Sequence, residues 1–102
     1  MKITTAKYED GLQEALSDPL EAVSYLNAAL EDGSQEVFLM ALRDVAEAKG
    51  ISNIARQSEL NRENLYRILS AKGNPQLATL NSILHSLGLK LFVKAEHTTV
   101  FK

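Results

Sequence analysis

The sequence predicts a mainly α-helical chain of five or six helices that ends in a short β-strand. Three observations carry this prediction. Apolar residues recur at three- and four-residue spacing through most of the chain. Cap residues and glycines bracket each of those stretches. After Gly88 the apolar period drops from about four to two. The chain has 102 residues, which fits one domain.

The first helix is expected over about 9–16, with Leu12 and Leu16 on one side. Asp18-Pro19-Leu20-Glu21 reads as a capping box with Pro at the first helical position. It opens a helix over about 19–32, whose inward stripe is expected to be Leu20, Val23, Leu26 and Leu30, with Ala22 beside them. Gly33 closes it, and Ser34 caps the next helix, about 35–49. There Val37, Phe38, Ala41, Leu42, Val45, Ala46 and Ala48 cover more than half the circumference, the mark of a central helix. Two short helices, about 53–59 and 62–70, are expected behind N-caps at Ser52 and Asn61. A further helix, about 75–87, is expected behind Asn74-Pro75, with Leu77, Leu80, Ile83, Leu84 and Leu87 inward. Leu89-Lys90-Leu91-Phe92-Val93-Lys94 alternates as a strand does. A strand needs a partner. Residues 98–101, residues 2–6 and the same strand of a second chain are the three candidates. Apolar groups on both faces favour a second chain, which makes Leu89, Leu91, Phe92 and Val93 candidate dimer residues.

Composition excludes several function classes. The chain has no Cys, so disulfides, thiolate metal sites and Cys nucleophiles are out. The two histidines, His85 and His97, have no partner at metal spacing, and neither a metal nor a cofactor is expected. No phosphate-cradling Gly loop, no Gly-x-Ser-x-Gly and no His/carboxylate cluster point to an enzyme. No apolar run nears the roughly 18 residues of a membrane span, and the first residues lack the apolar core of a signal peptide. A cytoplasmic protein is expected. The net charge of −2 is unevenly placed. Residues 1–36 hold two Lys and eight Asp/Glu, while residues 37–102 hold nine Lys/Arg and five Asp/Glu. An acidic front and a basic back suit two partners of opposite sign.

The segment Ile51 to Ser70, ISNIARQSELNRENLYRILS, carries the functional signal. Ala55 is small where two helices must cross, Ser58-Glu59-Leu60 makes the turn, and Leu60, Leu65 and Ile68 lock the pair. That spacing is the physical signature of a helix-turn-helix, whose second helix fits a DNA major groove. Leu65, Ile68 and Leu69 share the buried arc. Asn61, Arg62, Glu63, Asn64 and Arg67 lie off it and are the candidate base readers, since Arg pairs with guanine, Asn with adenine and Glu with cytosine. Ser52, Asn53, Tyr66, Ser70 and Lys72 are the candidate phosphate contacts. Glu59 stands where this motif usually carries Gly, at a turn position expected to have positive φ. On this reading residues 1–33 are an acidic helical extension, 34–88 the helix-turn-helix core, and 89–102 a strand and tail.

Ser52 to Leu89 resembles the helix-turn-helix domain of lambda-repressor-like (Cro/cI, XRE-type) regulators. The longer stretch Asp18 to Leu91 resembles the probable addiction-module antidote proteins, the HigA-like antitoxins. The matching pieces are Tyr25-Leu26-Asn27-Ala28-Ala29-Leu30, Ile54-Ala55-Arg56, Leu65-Tyr66, Gly73-Asn74-Pro75, Thr79-Leu80 and Leu87-Gly88-Leu89-Lys90-Leu91. Glu59 departs from the family's usual Gly. The resemblance implies a lambda-repressor-like helical bundle and a dual role. Such antitoxins neutralise a small RelE/HigB-type toxin, usually an mRNA endonuclease, and bind their own operator DNA as autorepressors. A homodimer reading two half-sites is expected. An RNA-cleaving toxin needs a basic surface, which the acidic front suits. Glu9, Asp10, Glu14, Asp18, Glu21, Glu31 and Asp32 are therefore the candidate toxin contacts. A stand-alone regulator without a toxin, and a pure protein-interaction module, are the rival readings.

Overall fold

The computed structural model describes residues 11–96. Six helices run through them in order: α1 (residues 11–16), α2 (Pro19–Asp32), α3 (Gln35–Lys49), α4 (Ile51–Gln57), α5 (Arg62–Ile68) and α6 (Leu77–Ser86). Glu9, Asp10, His97 and the pairing candidates 2–6 and 98–101 lie outside the described residues.

Local chemistry sets most of the helix ends. Asp18 caps α2 by accepting the Leu20 N–H at 3.1 Å, with Pro19 at the first position. The reciprocal bonds of the expected capping box do not form: Asp18 accepts from Leu20 and not from Glu21, and its own N–H is given to the Ala15 carbonyl. Ser34 caps α3 by accepting the Val37 N–H, and Asn61 caps α5 by accepting the Asn64 N–H at 2.7 Å. Two expected caps are displaced. Helix α4 begins at Ile51, directly after Gly50, whose φ of 104° lets one residue end α3 and start α4. Ser52 therefore sits inside the first turn. Helix α6 begins at Leu77 behind Gln76, not behind Asn74. Pro75 disfavours a helical Asn74, and the Gly73 carbonyl is held by the Gln35 amide of α3 at 3.0 Å. Helix α5 stops at Ile68 because the chain turns tightly back. A Cβ on Gly73 would lie 1.9 Å from the Ile68 carbonyl oxygen, so only Gly fits that approach.

A single core runs from Leu16 to Leu87. Helix α3 is central, packed between α2 and α4, and it buries Phe38, Leu39, Ala41, Leu42, Val45 and Ala46. Val37, expected inside, is exposed, and Leu39 takes a core place instead. Helix α2 turns a different face inward than its leucines suggest. Ala22, Leu26 and Ala29 are buried, whereas Leu20 (78% exposed), Val23 and Leu30 face outward. Small alanines let α2 approach α3 closely, and Tyr25 fixes the rotation by donating its hydroxyl to Asp44 of α3 at 2.6 Å. On α6, Ile83 and Leu84 are buried, while Leu77 at the first turn is exposed.

The expected C-terminal strand is not formed. Residues 89–96 have no regular secondary structure, and no strand occurs among the described residues. A strand is defined by its ladder, and no second described segment pairs with this one.

The turn between α4 and α5 closes as a Schellman motif. The Leu60 N–H reaches the Ala55 carbonyl at 2.8 Å and the Glu59 N–H reaches the Arg56 carbonyl at 3.1 Å. Glu59 occupies the left-handed position with φ of 61°, the one described non-Gly residue there. That conformation costs a side-chain-bearing residue roughly 1 kcal/mol. Glu59→Gly is expected to raise the unfolding free energy by about 0.5–1 kcal/mol, read from urea melts followed by circular dichroism.

Candidate nucleic-acid interface

Helix α5 is held from beneath and from one side. Leu65 and Leu69 are fully buried, with Leu60 and Ile68 packed against the same core. Ala55 is buried where α4 meets α5, as its small size allows. Tyr66 reaches back to α3, where its hydroxyl donates to Glu47 at 3.3 Å. Arg43 lies over the Tyr66 ring at 5.0 Å and pairs with Glu47 at 3.5 Å. Three side chains thus tie the position of α5 to the central helix. The other end of α4 is tied to α6, where the Ser58 and Ser86 hydroxyls meet at 3.3 Å.

The opposite flank of α5 is not covered by any other described part of the chain. Asn61, Arg62, Glu63 and Arg67 are exposed, and Asn64 is half-buried. The five candidate base readers therefore share one short helix and its cap. They are not independent of one another. The Asn61 carbonyl oxygen is committed to the cap, which leaves its amide N–H groups to reach outward. The Asn64 oxygen accepts a hydrogen bond from the Arg67 guanidinium at 2.9 Å. That bond occupies one donor of Arg67 and steadies the rest of its fork.

The candidate phosphate contacts divide. Ser52, Asn53 and Lys72 are exposed. Ser70 is half-buried, and its hydroxyl donates to the Arg67 carbonyl at 2.8 Å. Tyr66 is half-buried and its hydroxyl is engaged by Glu47, which makes it a seat for α5. One further residue joins this surface. Arg56 on α4 is exposed and donates to Asn53 at 2.6 Å, repeating the Asn64–Arg67 arrangement one helix earlier. The signal was in the sequence as a repeated Asn-x-x-Arg, at 53–56 and 64–67.

The acidic front is also open to solvent. Glu14, Asp18, Glu21, Glu31 and Asp32 are all exposed, along α1, its junction with α2, and α2 itself. Asp18 doubles as the α2 cap. Between residues 8 and 42 there is no Lys, Arg or His, and a cation that reaches this region is Lys49 of α3, which donates to the Ser17 carbonyl at 3.2 Å. Leu89 is half-buried, and Leu91, Phe92 and Val93 are exposed. Among the described residues no group of His, Asp or Glu is placed to hold a metal ion. No described helix is long and apolar enough to cross a membrane.

Comparison with known proteins gives two matches. A family model described as "Probable addiction module antidote protein" matches residues 6–95. An uncharacterized protein of Haemophilus influenzae (strain Rd) is 40% identical over 81 residues, covering 79% of this chain and 84% of that relative. No solved structure matches the chain.

Proposed function

The chain belongs to the probable addiction module antidote family, and from that premise we propose that it is the antitoxin of a type II toxin–antitoxin module. In this reading it acts in the cytoplasm through two surfaces. Its acidic front covers the basic, RNA-binding face of a small RelE/HigB-type endonuclease toxin. Its α4–α5 pair is a lambda-repressor-like helix-turn-helix that docks on operator DNA, so the protein represses its own gene as a homodimer. A two-fold pair of such units would meet half-sites about 34–36 Å apart on one face of the duplex.

The observation that carries the DNA-binding half is the free polar flank of α5. Arg62 and Arg67 stand exposed on a helix whose other side is buried at Leu65 and locked to α3 through Tyr66. A helix so held needs no backbone ordering on binding, which leaves only the side chains to be fixed. The surface is modest in charge, with four basic and two acidic residues over 51–75. Affinity therefore leans on dimerisation and on low salt. The test has two parts: a gel shift with the DNA upstream of the gene, at stated salt, and co-expression with the product of the reading frame beside it, which this account expects to be small and basic. Retarded DNA and a co-purifying partner support both halves. Retarded DNA with no partner supports the stand-alone regulator, and a partner with no DNA shift supports the interaction module.

A further inference from the structure

Helix α2 turns mostly small residues inward and large ones outward. It is buried at Ala22, Leu26 and Ala29, while Leu20, Val23 and Leu30 stand 78%, 40% and 49% exposed. With Asn27, which is also exposed, these three recur at three- and four-residue steps, which sets them on one stripe about 15 Å long. Left in water, the stripe gains none of the burial that stabilises a fold. Val23, Asn27 and Leu30 also line a groove of about 750 Å³ between α2 and the segment that follows α6.

The charges around the stripe are acidic in sum. Glu14, Asp18, Glu21, Glu31 and Asp32 are exposed on α1, at its junction with α2, and on α2. The cations near them are Lys49, held by the Ser17 carbonyl, and Lys90 and Lys94 on the far wall of the groove, where Glu96 offsets one of the two. Glu31 and Asp32 end α2, whose last turn has no basic residue. The helix dipole is negative at that end, so the two acids cost α2 stability where cations would add it. Cations from outside the chain would relieve that strain.

We infer that this stripe is the apolar anchor for the toxin: a basic protein seats an apolar patch on Leu20, Val23 and Leu30, and its Lys or Arg side chains meet Glu21, Glu31 and Asp32 at the margins. The inference rests on the proposed function and adds what its acidic front lacks. Charges steer and select a partner, whereas desolvated apolar anchors hold it. The charges also weigh against other occupants. DNA would set its phosphates against these carboxylates. A two-fold pair of copies would have to lay α2 on α2. Antiparallel, that sets Asp18 and Glu21 against Glu31 and Asp32; parallel, it sets each acid against itself.

Binding is measured by calorimetric titration of the full chain with the product of the adjacent reading frame, across a salt series. Leu20→Gln and Leu30→Gln are each expected to weaken binding at least about tenfold, with the helical circular dichroism and the salt slope of the affinity unchanged. Glu31→Lys is expected to weaken binding and to flatten that slope. Leu77→Gln is the control: this leucine is also exposed but belongs to α6, and its change should leave the affinity as it is. A wild type that binds the product while both α2 leucine variants bind it equally well overturns the inference and leaves the proposed function standing. A wild type that does not bind it overturns both. Leucine variants that shift the oligomeric state in light scattering, with affinity for the product unmoved, give the stripe to a second copy and overturn the inference too.

Discussion

Replacing Leu65 with Ala is expected to lower the unfolding free energy by about 2–5 kcal/mol, a large share of the roughly 5–15 kcal/mol that holds a domain of this size folded. Leu65 is fully buried, sits on α5, and shares the core with Leu42, Ile54 and Leu69. Removing it deletes buried methyl groups and leaves a cavity under the helix that carries the candidate base readers. The comparison that isolates burial is Leu77→Ala. Leu77 also lies on a helix but is mostly exposed, so its loss should stay within about 0.5 kcal/mol. Urea denaturation of both variants, followed by circular dichroism, reads the difference. Similar small losses in the two would mean that α5 is not anchored at Leu65.

The second large effect is expected at the acidic front. Changing Glu14, Glu21 and Asp32 together to Lys cancels the net negative charge of residues 1–36 and sets three cations on the face proposed to meet a basic toxin. Like-charge contacts across an interface cost several kcal/mol, and about 1.4 kcal/mol is tenfold in affinity, so a loss of at least about 100-fold is expected. All three residues are exposed, and none makes a side-chain hydrogen bond that the fold depends on. Glu31 is left unchanged in this variant because it also walls the groove. Calorimetric titration with the co-expressed basic partner measures the change. An unmoved affinity would assign the acidic field to solvation alone.

Much of the fold was legible because it is local. Asp18, Ser34 and Asn61 cap the helices they precede, and those bonds span two or three residues. The buried pair Leu65 and Leu69 follows from helical spacing. What was not legible depends on distant partners. Helix α2 has an apolar arc wider than the face it buries, and α3 decides which part is used. The choice falls on Ala22, Leu26 and Ala29, and it leaves Leu20, Val23 and Leu30 outside. Gly50 serves two helices at once, which moved the start of α4. The strand pattern at 89–94 was real in the sequence, but a ladder requires a second strand, and none occurs among the described residues.

The candidate site divides in the same way. The polar flank of α5 follows from periodicity alone. The bonds that set its orientation do not, since Tyr66 and Glu47 are 19 residues apart. The Asn64–Arg67 bond is short-range, yet its consequence is chemical rather than positional. It couples two residues that the sequence offers as separate readers.

The central claim is that the exposed flank of α5 reads the edges of base pairs. Fluorescence anisotropy with the gene's upstream duplex and a scrambled duplex of equal length, at one stated salt concentration, tests it most directly. The wild type should prefer the upstream duplex. Arg62→Ala and Arg67→Ala should each cut that preference by about 10- to 100-fold, corresponding to about 1–3 kcal/mol of discrimination per bidentate contact. A wild type that binds the two duplexes equally, or variants that keep the preference intact, would contradict the account.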